Sequence, residues 1–308
     1  MHEFQRLNSE EDNSVNWVIP SSDGLFFETR LVEREDGHYI IYVSSQSGCV
    51  QKCKFCHLTQ TGQFVNITNA CSINLKHQLK TVVAEGLSKY QEQGKIKRLS
   101  IAYMARGEPL DRQNFLYDFL ETKEEIIPEL LNKAGLGDLP LKYKVSTIFP
   151  ISRAKNFENI LQVLGSEDDN NVFLYWSLYS LQNSFRKKWL PNASDPYLLR
   201  GMLKDFYEKT NGRLVIHSAW IAGENDTETQ VIDLAEFLQE NFPRIRFNHV
   251  TYNPYYKQSG EVGCESPQDI IKRNHDILID HGINVKSIKR VGYDVKASCG
   301  MFVDKVKV

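Results

Sequence analysis

Apolar residues fall in short blocks rich in β-branched and aromatic side chains, separated by longer stretches with helical periodicity. The block His38-Tyr39-Ile40-Ile41-Tyr42-Val43 predicts a strand over 38–43. Further strands are expected at 98–104, 141–147, 172–178, 214–220 and 245–252, with a last extended piece at 283–288. Between them the spacing predicts helices over 72–93, 113–121, 124–134, 152–163, 195–210, 227–240 and 267–281. Strand and helix alternate, which implies parallel strands joined by helical crossovers. The fold class expected is α/β: six βα units closing a partial (β/α)6 barrel, with a C-terminal extension strand. Residues 1–36 fit no such unit and are expected to be an irregular or small α+β lead-in, leaving 37–308 as the barrel. The largest loops should lie near 57–71, 179–195 and 253–266. In such folds chemistry sits at the carboxyl ends of the strands. The unusual residues of this chain do follow strands.

Composition changes the picture little. A chain of 308 residues, 41% hydrophobic and 25% charged, can bury a core without disulfides, as one barrel or two domains. Lysine and arginine number 37 against 39 acids, so coating with nucleic acid by bulk charge is not expected. No apolar run approaches the roughly 18 residues that span a bilayer, so no membrane is expected. Met1 to Asn13 is polar and acidic, unlike an export signal, and a cytoplasmic protein is expected.

Six cysteines are too few for a disulfide scaffold, but three fall within eight residues, in Gly48-Cys49-Val50-Gln51-Lys52-Cys53-Lys54-Phe55-Cys56. Three thiolates at C-x3-C-x2-C spacing can grip three corners of a cubane iron–sulfur cluster and leave one iron open to a small molecule. Zinc is the first alternative; it usually takes four ligands, and His57 is awkwardly close to serve as the fourth. Free thiols are the second.

The same spacing is that of the radical S-adenosylmethionine (SAM) superfamily. Val43-Ser44-Ser45-Gln46-Ser47-Gly48-Cys49 resembles the approach to the cluster in the RlmN/Cfr family, methyl synthases that methylate an adenine carbon in RNA. Gly107-Glu108-Pro109-Leu110, Val145-Ser146-Thr147, Trp176-Ser177-Leu178, Tyr252-Asn253-Pro254 and Ala297-Ser298-Cys299-Gly300 follow in the family's order, so the resemblance covers about residues 25–301. It implies a [4Fe–4S] cluster on Cys49, Cys53 and Cys56, and SAM as cofactor. Gly107 and Glu108 would hold the methionine ammonium; the bland alternative is a strand-to-helix turn. Ser146 and Ser177 would face the carboxylate and ribose; strand-end serines are also ordinary caps. Where the family has Ser-Leu-His, this chain has Ser177-Leu178-Tyr179. Asn253 would contact the adenosine, although Asn-Pro is also a common turn. Glu28 would be a proton acceptor near the target base, a match that needs a one-residue insertion, whereas most glutamates in so acidic a segment are solvated. Cys299 would carry a methyl group; a lone late cysteine is otherwise a small buried residue.

The implied reaction suits its target. An amidine carbon of adenine is electrophilic and cannot attack the SAM methyl as a nucleophile. In the family scheme one SAM methylates Cys299, and a radical made from a second SAM takes hydrogen from that methyl. The carbon radical adds to the base, and a second cysteine resolves the thioether by forming a disulfide. The second cysteine lies seven residues before the first cluster ligand, and here that position is Tyr42. The accessory RNA-binding domain that precedes the family's barrel is also not expected here. Cys264, in the loop after Asn253, is the candidate substitute thiol, while Cys71 is expected to be structural. Residues 184–213 carry seven basic and three acidic residues, and 286–308 carry six and two. With Trp189, Tyr197 and Tyr293 they could bind RNA, though a charge run is more often a solvated face.

The function expected is therefore methylation of C2 or C8 of adenine in rRNA or tRNA by a monomer, with an external electron donor such as flavodoxin or ferredoxin. The alternative is the same scaffold acting on a DNA base, a nucleotide or a small heteroaromatic. A non-catalytic iron–sulfur protein would have no use for an open iron.

Overall fold

The computed structural model describes residues 4–34, 37–87, 90, 94–166, 170–255 and 262–304. The chain groups into two compact units. The first takes Met1–Val50, Thr61–Val145 and Val291–Val308; the second takes Gln51–Gln60 and Ser146–Arg290.

In the first unit, β1 (Gln5–Asn8), β2 (Val15–Pro20), β3 (Phe26–Glu33) and β4 (His38–Tyr42) form an antiparallel run. β4 then pairs in parallel with β5 (Arg98–Tyr103), and β5 with β6 (Leu141–Thr147). The segment expected to be irregular or small α+β thus supplies three regular strands. β2 and β3 are buried on nearly every residue, with Trp17, Leu31 and Val32 fully so. A strand covered on both faces shows no alternation. The acids that made the segment look soluble sit mostly in its turns, as with Glu10, Glu11, Asp12 and Asp23. The helix Ser72–Val82 runs on into a wider turn at Val83–Leu87. Residues 88–89 and 91–93 of the expected helix lie outside the described residues.

In the second unit, β7 (Val172–Trp176), β8 (Leu214–Ser218), β9 (Arg246–Val250) and β10 (Asn284–Ile288) are all parallel where paired. The helices Pro196–Lys209, Glu228–Asn241 and Gln268–Asp280 make the crossovers. Their starts are written locally. Asp195 accepts from the Tyr197 amide at 2.8 Å ahead of Pro196, and Thr227 with Gln230 forms a reciprocal cap. The fully buried Trp176 packs edge-on against Phe149, Phe237 and Phe242. The six βα units and the extension strand match the sequence expectation. The stretch expected as a loop over 179–195 contains a short helix, Asn183–Trp189, and the one over 57–71 a single turn, His57–Gln60. Residues 256–261 of the expected loop 253–266 lie outside the described residues. Among the described residues no helix is long and apolar enough to cross a membrane.

Candidate active site

In the first unit the chain leaving β4 is fixed residue by residue. Ser44 exchanges two hydrogen bonds with the Gln78 amide, its N–H donating at 2.7 Å and its carbonyl accepting at 3.1 Å. Ser45 and Ser47 donate their amides to the Arg106 and Thr68 carbonyls at 2.8 and 2.9 Å. The Cys49 amide reaches the Gln63 carbonyl at 3.1 Å. A side chain at Gly48 would put its Cβ 2.4 Å from that same carbonyl, so only glycine lets Cys49 sit there. Cys49 is therefore half-buried on a backbone with little freedom.

Gly107 follows β5 with φ +94°, and a Cβ on it would come within 2.7 Å of Ser45 and Gln46. The Glu108 amide donates to Gln46 Oε1 at 2.9 Å, and Glu108 Oε1 accepts from the Leu110 amide at 3.1 Å. Its carboxylate thus caps the turn Pro109–Asp111 while staying buried beside the segment that leads to Cys49.

Glu28 lies on β3, fully buried. Its Oε1 accepts from Arg106 at 2.8 Å and from the Val303 amide at 3.0 Å. Its Oε2 accepts from Arg30 at 2.9 Å and from Asn16 at 2.8 Å. Burial alone would raise its pKa, but Arg30 and Arg106 together with the hydrogen bonds hold it below the ordinary carboxylate value. Sequence reasoning placed a proton acceptor here and missed Arg30, Arg106 and Asn16. One signal was available: Arg106, directly before Gly107-Glu108, follows a buried strand.

Cys299 is exposed. Burial is nonetheless the main influence on its thiol, pushing the pKa up to about 11 against the pull of Arg30 and Arg34. Tyr42, at the position of the family's second cysteine, is the cross-strand partner of Arg30.

In the second unit Cys53 is buried among Ile148, Tyr179, Phe185, Trp189, Ile221 and Tyr252, with Phe55 and Cys56 packed against them. The turn that carries it is pinned by main-chain contacts. The Cys56 amide donates to the Cys53 carbonyl at 3.0 Å and the Lys54 amide to the Trp189 carbonyl at 3.0 Å. Asn192 Nδ2 donates to the Gln51 carbonyl at 3.1 Å, and His57 Nε2 contacts the Asn253 carbonyl at 2.9 Å. That contact ties the His57 ring to the chain just after β9. Tyr179, where the family has histidine, stacks on Phe55 with ring centroids 4.2 Å apart. Arg186 is buried and donates to the Leu178, Ser180 and Ser194 carbonyls. Burial lowers its pKa to about 10, while Asp195 and Cys53 act the other way.

Ser146 and Ser177 end β6 and follow β7, and their hydroxyls are 3.4 Å apart. Asn253 is buried after β9, its amide donating to the Thr251 carbonyl at 3.0 Å. Cys264 is exposed, and its carbonyl accepts from the Ala222 amide at 3.0 Å. Cys71 is exposed rather than structural in a core, and its thiol faces Asn74 Oδ1 at 3.1 Å.

Among the described residues no three His, Cys, Asp or Glu side chains are already gathered as a metal-binding set. What the loop offers is three sulfur donors at close chain spacing. An all-thiolate set suits iron–sulfur ligation and does not suit magnesium or calcium. The residue types present fit the group.

No family model matches the chain. Curated relatives do. A probable dual-specificity RNA methyltransferase RlmN of Lachnoclostridium phytofermentans is 25% identical over 321 residues, covering 100% of this chain and 79% of its own. The dual-specificity RNA methyltransferase RlmN of Campylobacter concisus is 25% identical over 309 residues, covering 96% and 74%. Among solved structures, a radical SAM methyltransferase from Sphaerobacter thermophilus superposes with a TM-score of 0.75 at 19% identity, covering 98% of this chain and 80% of that one. The strand order, the cysteine loop and these similarities agree. The chain is a methyl-transferring enzyme, similar over its length to proteins named RlmN and sharing the fold of a solved radical SAM methyltransferase, a likeness that implies SAM and a [4Fe–4S] cluster as cofactors.

Proposed function

We propose that this enzyme methylates an sp2 carbon of adenine in RNA, C2 or C8, and that Cys299 carries the methyl group. The observation that supports this most directly is the setting of Cys299, an exposed thiol on a segment fastened by Arg30 at the Met301 carbonyl and by Arg106 and Glu28 at Val303.

Cys49, Cys53 and Cys56 are the proposed cluster ligands. The bound cluster supplies the electron that cleaves SAM. Gly107, with no side chain, leaves room beside Gln46, and the Glu108 carboxylate suits a methionine ammonium. The Ser146 and Ser177 hydroxyls suit the carboxylate and ribose, and Asn253 suits the adenine edge. Cys264 is proposed as the thiol that attacks the Cys299 sulfur, so that an S–S bond forms as the C–S bond to the product breaks. RNA is the proposed substrate and a flavodoxin or ferredoxin the proposed donor. The basic stretches 184–213 and 286–308 are the proposed contact surfaces.

The test is chemical. Oxygen-free reconstituted protein given SAM and reductant should yield a methylated Cys299 peptide by mass spectrometry, and Cys299→Ser should yield none. RNA from expressing cells should contain 2- or 8-methyladenosine. Unmethylated Cys299 in a protein that still cleaves SAM removes this reading. The second reading, a different heteroaromatic substrate, is favoured by Tyr42 at the resolving position. It is selected if Cys299 is methylated while cellular RNA is unmodified.

A further inference from the structure

The segment Val291–Val303 that carries Cys299 has neither strand nor helix among its described residues, yet it is held at both ends by side chains of its own unit. Ahead of Cys299, the Gly292 amide donates to Asp12 at 2.7 Å. Asp294 accepts from the Ser9 hydroxyl at 2.7 Å and the Glu10 amide at 2.8 Å. Asn16 Nδ2 donates to the Val295 carbonyl at 3.0 Å. Beyond Cys299, Arg30 donates to the Met301 carbonyl at 2.7 Å. Arg106 and Gln63 donate to the Val303 carbonyl at 3.1 and 3.2 Å. The Phe302 ring centroid is 4.7 Å from the Arg30 guanidinium and 5.9 Å from that of Arg106.

Glu28 joins these contacts. It is the anion that both arginines share, and the Val303 amide binds it directly. Glu28, Arg30 and Arg106 are each at most 2% exposed. Two buried cations without that anion would repel and lose their footing. A carboxylate already accepting four hydrogen bonds, two of them from guanidiniums, is a poor proton acceptor. We propose that Glu28, Arg30 and Arg106 are positioning residues for Cys299: a buried counter-ion clamp that aims the thiol by gripping Met301 and Val303. This rests on the reading of Cys299 as methyl carrier and replaces the proton-acceptor role for Glu28.

The test uses the full chain without SAM or substrate. Glu28→Gln keeps the shape and removes the charge. Released from its anion, Arg30 should draw the Cys299 thiol toward ionisation. Iodoacetamide labelling at pH 8, read on the Cys299 peptide, should then speed up about tenfold for each unit the pKa falls. Exchange of the Val303 amide should also speed up at least about tenfold. Leu203→Ala, in the second unit, controls for a general loss of stability and should change neither readout. Should Glu28→Gln fail to fold, Arg30→Lys keeps the charge but not the planar fork, and should raise both rates severalfold. Wild-type labelling and exchange rates in a folded Glu28→Gln or Arg30→Lys protein would overturn the clamp. If methyl transfer to RNA were lost at the same time, Glu28 would be acting on substrate directly. Because neither readout involves SAM, an unmethylated Cys299 would sink the proposed function and leave the clamp standing.

Discussion

The two units hold their reactive sulfurs in opposite ways. Cys299 sits on an irregular segment fastened by buried charges and amides, whereas Cys53 sits in a turn walled by aromatic and aliphatic side chains. A charged lattice gives direction, because each bond has a preferred line, but it fails as a set when one member is lost. An apolar wall gives dryness without direction, and truncating one ring leaves the rest in place. A methyl carrier, the role proposed for Cys299, needs aim; a metal ligand, the role proposed for Cys53, needs shelter.

The largest effect should come from the sulfur itself. Cys53→Ser should cut bound iron and SAM cleavage by more than about 100-fold, with the circular dichroism spectrum retained. Next, Glu28→Ala should cost about 3–5 kcal/mol in urea unfolding, because it strands two buried guanidiniums. A loss below about 1 kcal/mol would mean that the clamp is not cooperative.

Acid should separate the buried histidines from Glu28. Burial, with His275 and His217 nearby, lowers the His249 pKa in the second unit to about 4 from an ordinary 6.5. The unfolded chain therefore takes up a proton before the native one does. Stability is complete above pH 6.5 and falls between 6.5 and 4, by about 3 kcal/mol in all. Glu28 is shifted below its ordinary 4.5, so its contribution is complete above 4.5 and is lost only as the pH falls through its still lower native value. Melting scans between pH 6.5 and 4.5 should show a loss that His249→Gln and His38→Gln each reduce and Glu28→Gln leaves in place. The smallest effect is Tyr179→Ala, which removes the stack on Phe55 and should cost about 1 kcal/mol with iron content nearly unchanged. Iron lost in proportion would show that the apolar wall also directs.

Much of this architecture is written locally. β6 occupies the expected residues, and Thr227 and Asp195 announce their helices through caps within three residues. The cysteine loop is legible because its three donors are close in sequence. The clamp is not, because Arg106 lies 78 residues from Glu28 and Val303 lies 275. No pattern of period two or 3.6 reports a partner at that distance. The role of Tyr179 was hidden similarly: a departure from the family at a strand end reads as an altered polar contact, and its ring instead supports Phe55. The short helix Asn183–Trp189 was missed because seven residues with Arg186, Lys187 and Lys188 in the last turn look like a solvated loop until Phe185, Arg186 and Trp189 are seen to be buried.

The C-terminal stretch beyond Arg290 is in effect a peptide ligand that the chain carries for itself, tethered to its own receptor. Protein ending at Arg290 should uncover the apolar surface against which Val291, Val295, Met301 and Phe302 are buried. A synthetic peptide spanning residues 291–303, methylated on sulfur or not, could be offered to it in trans, which would let the thioether be supplied ready-made.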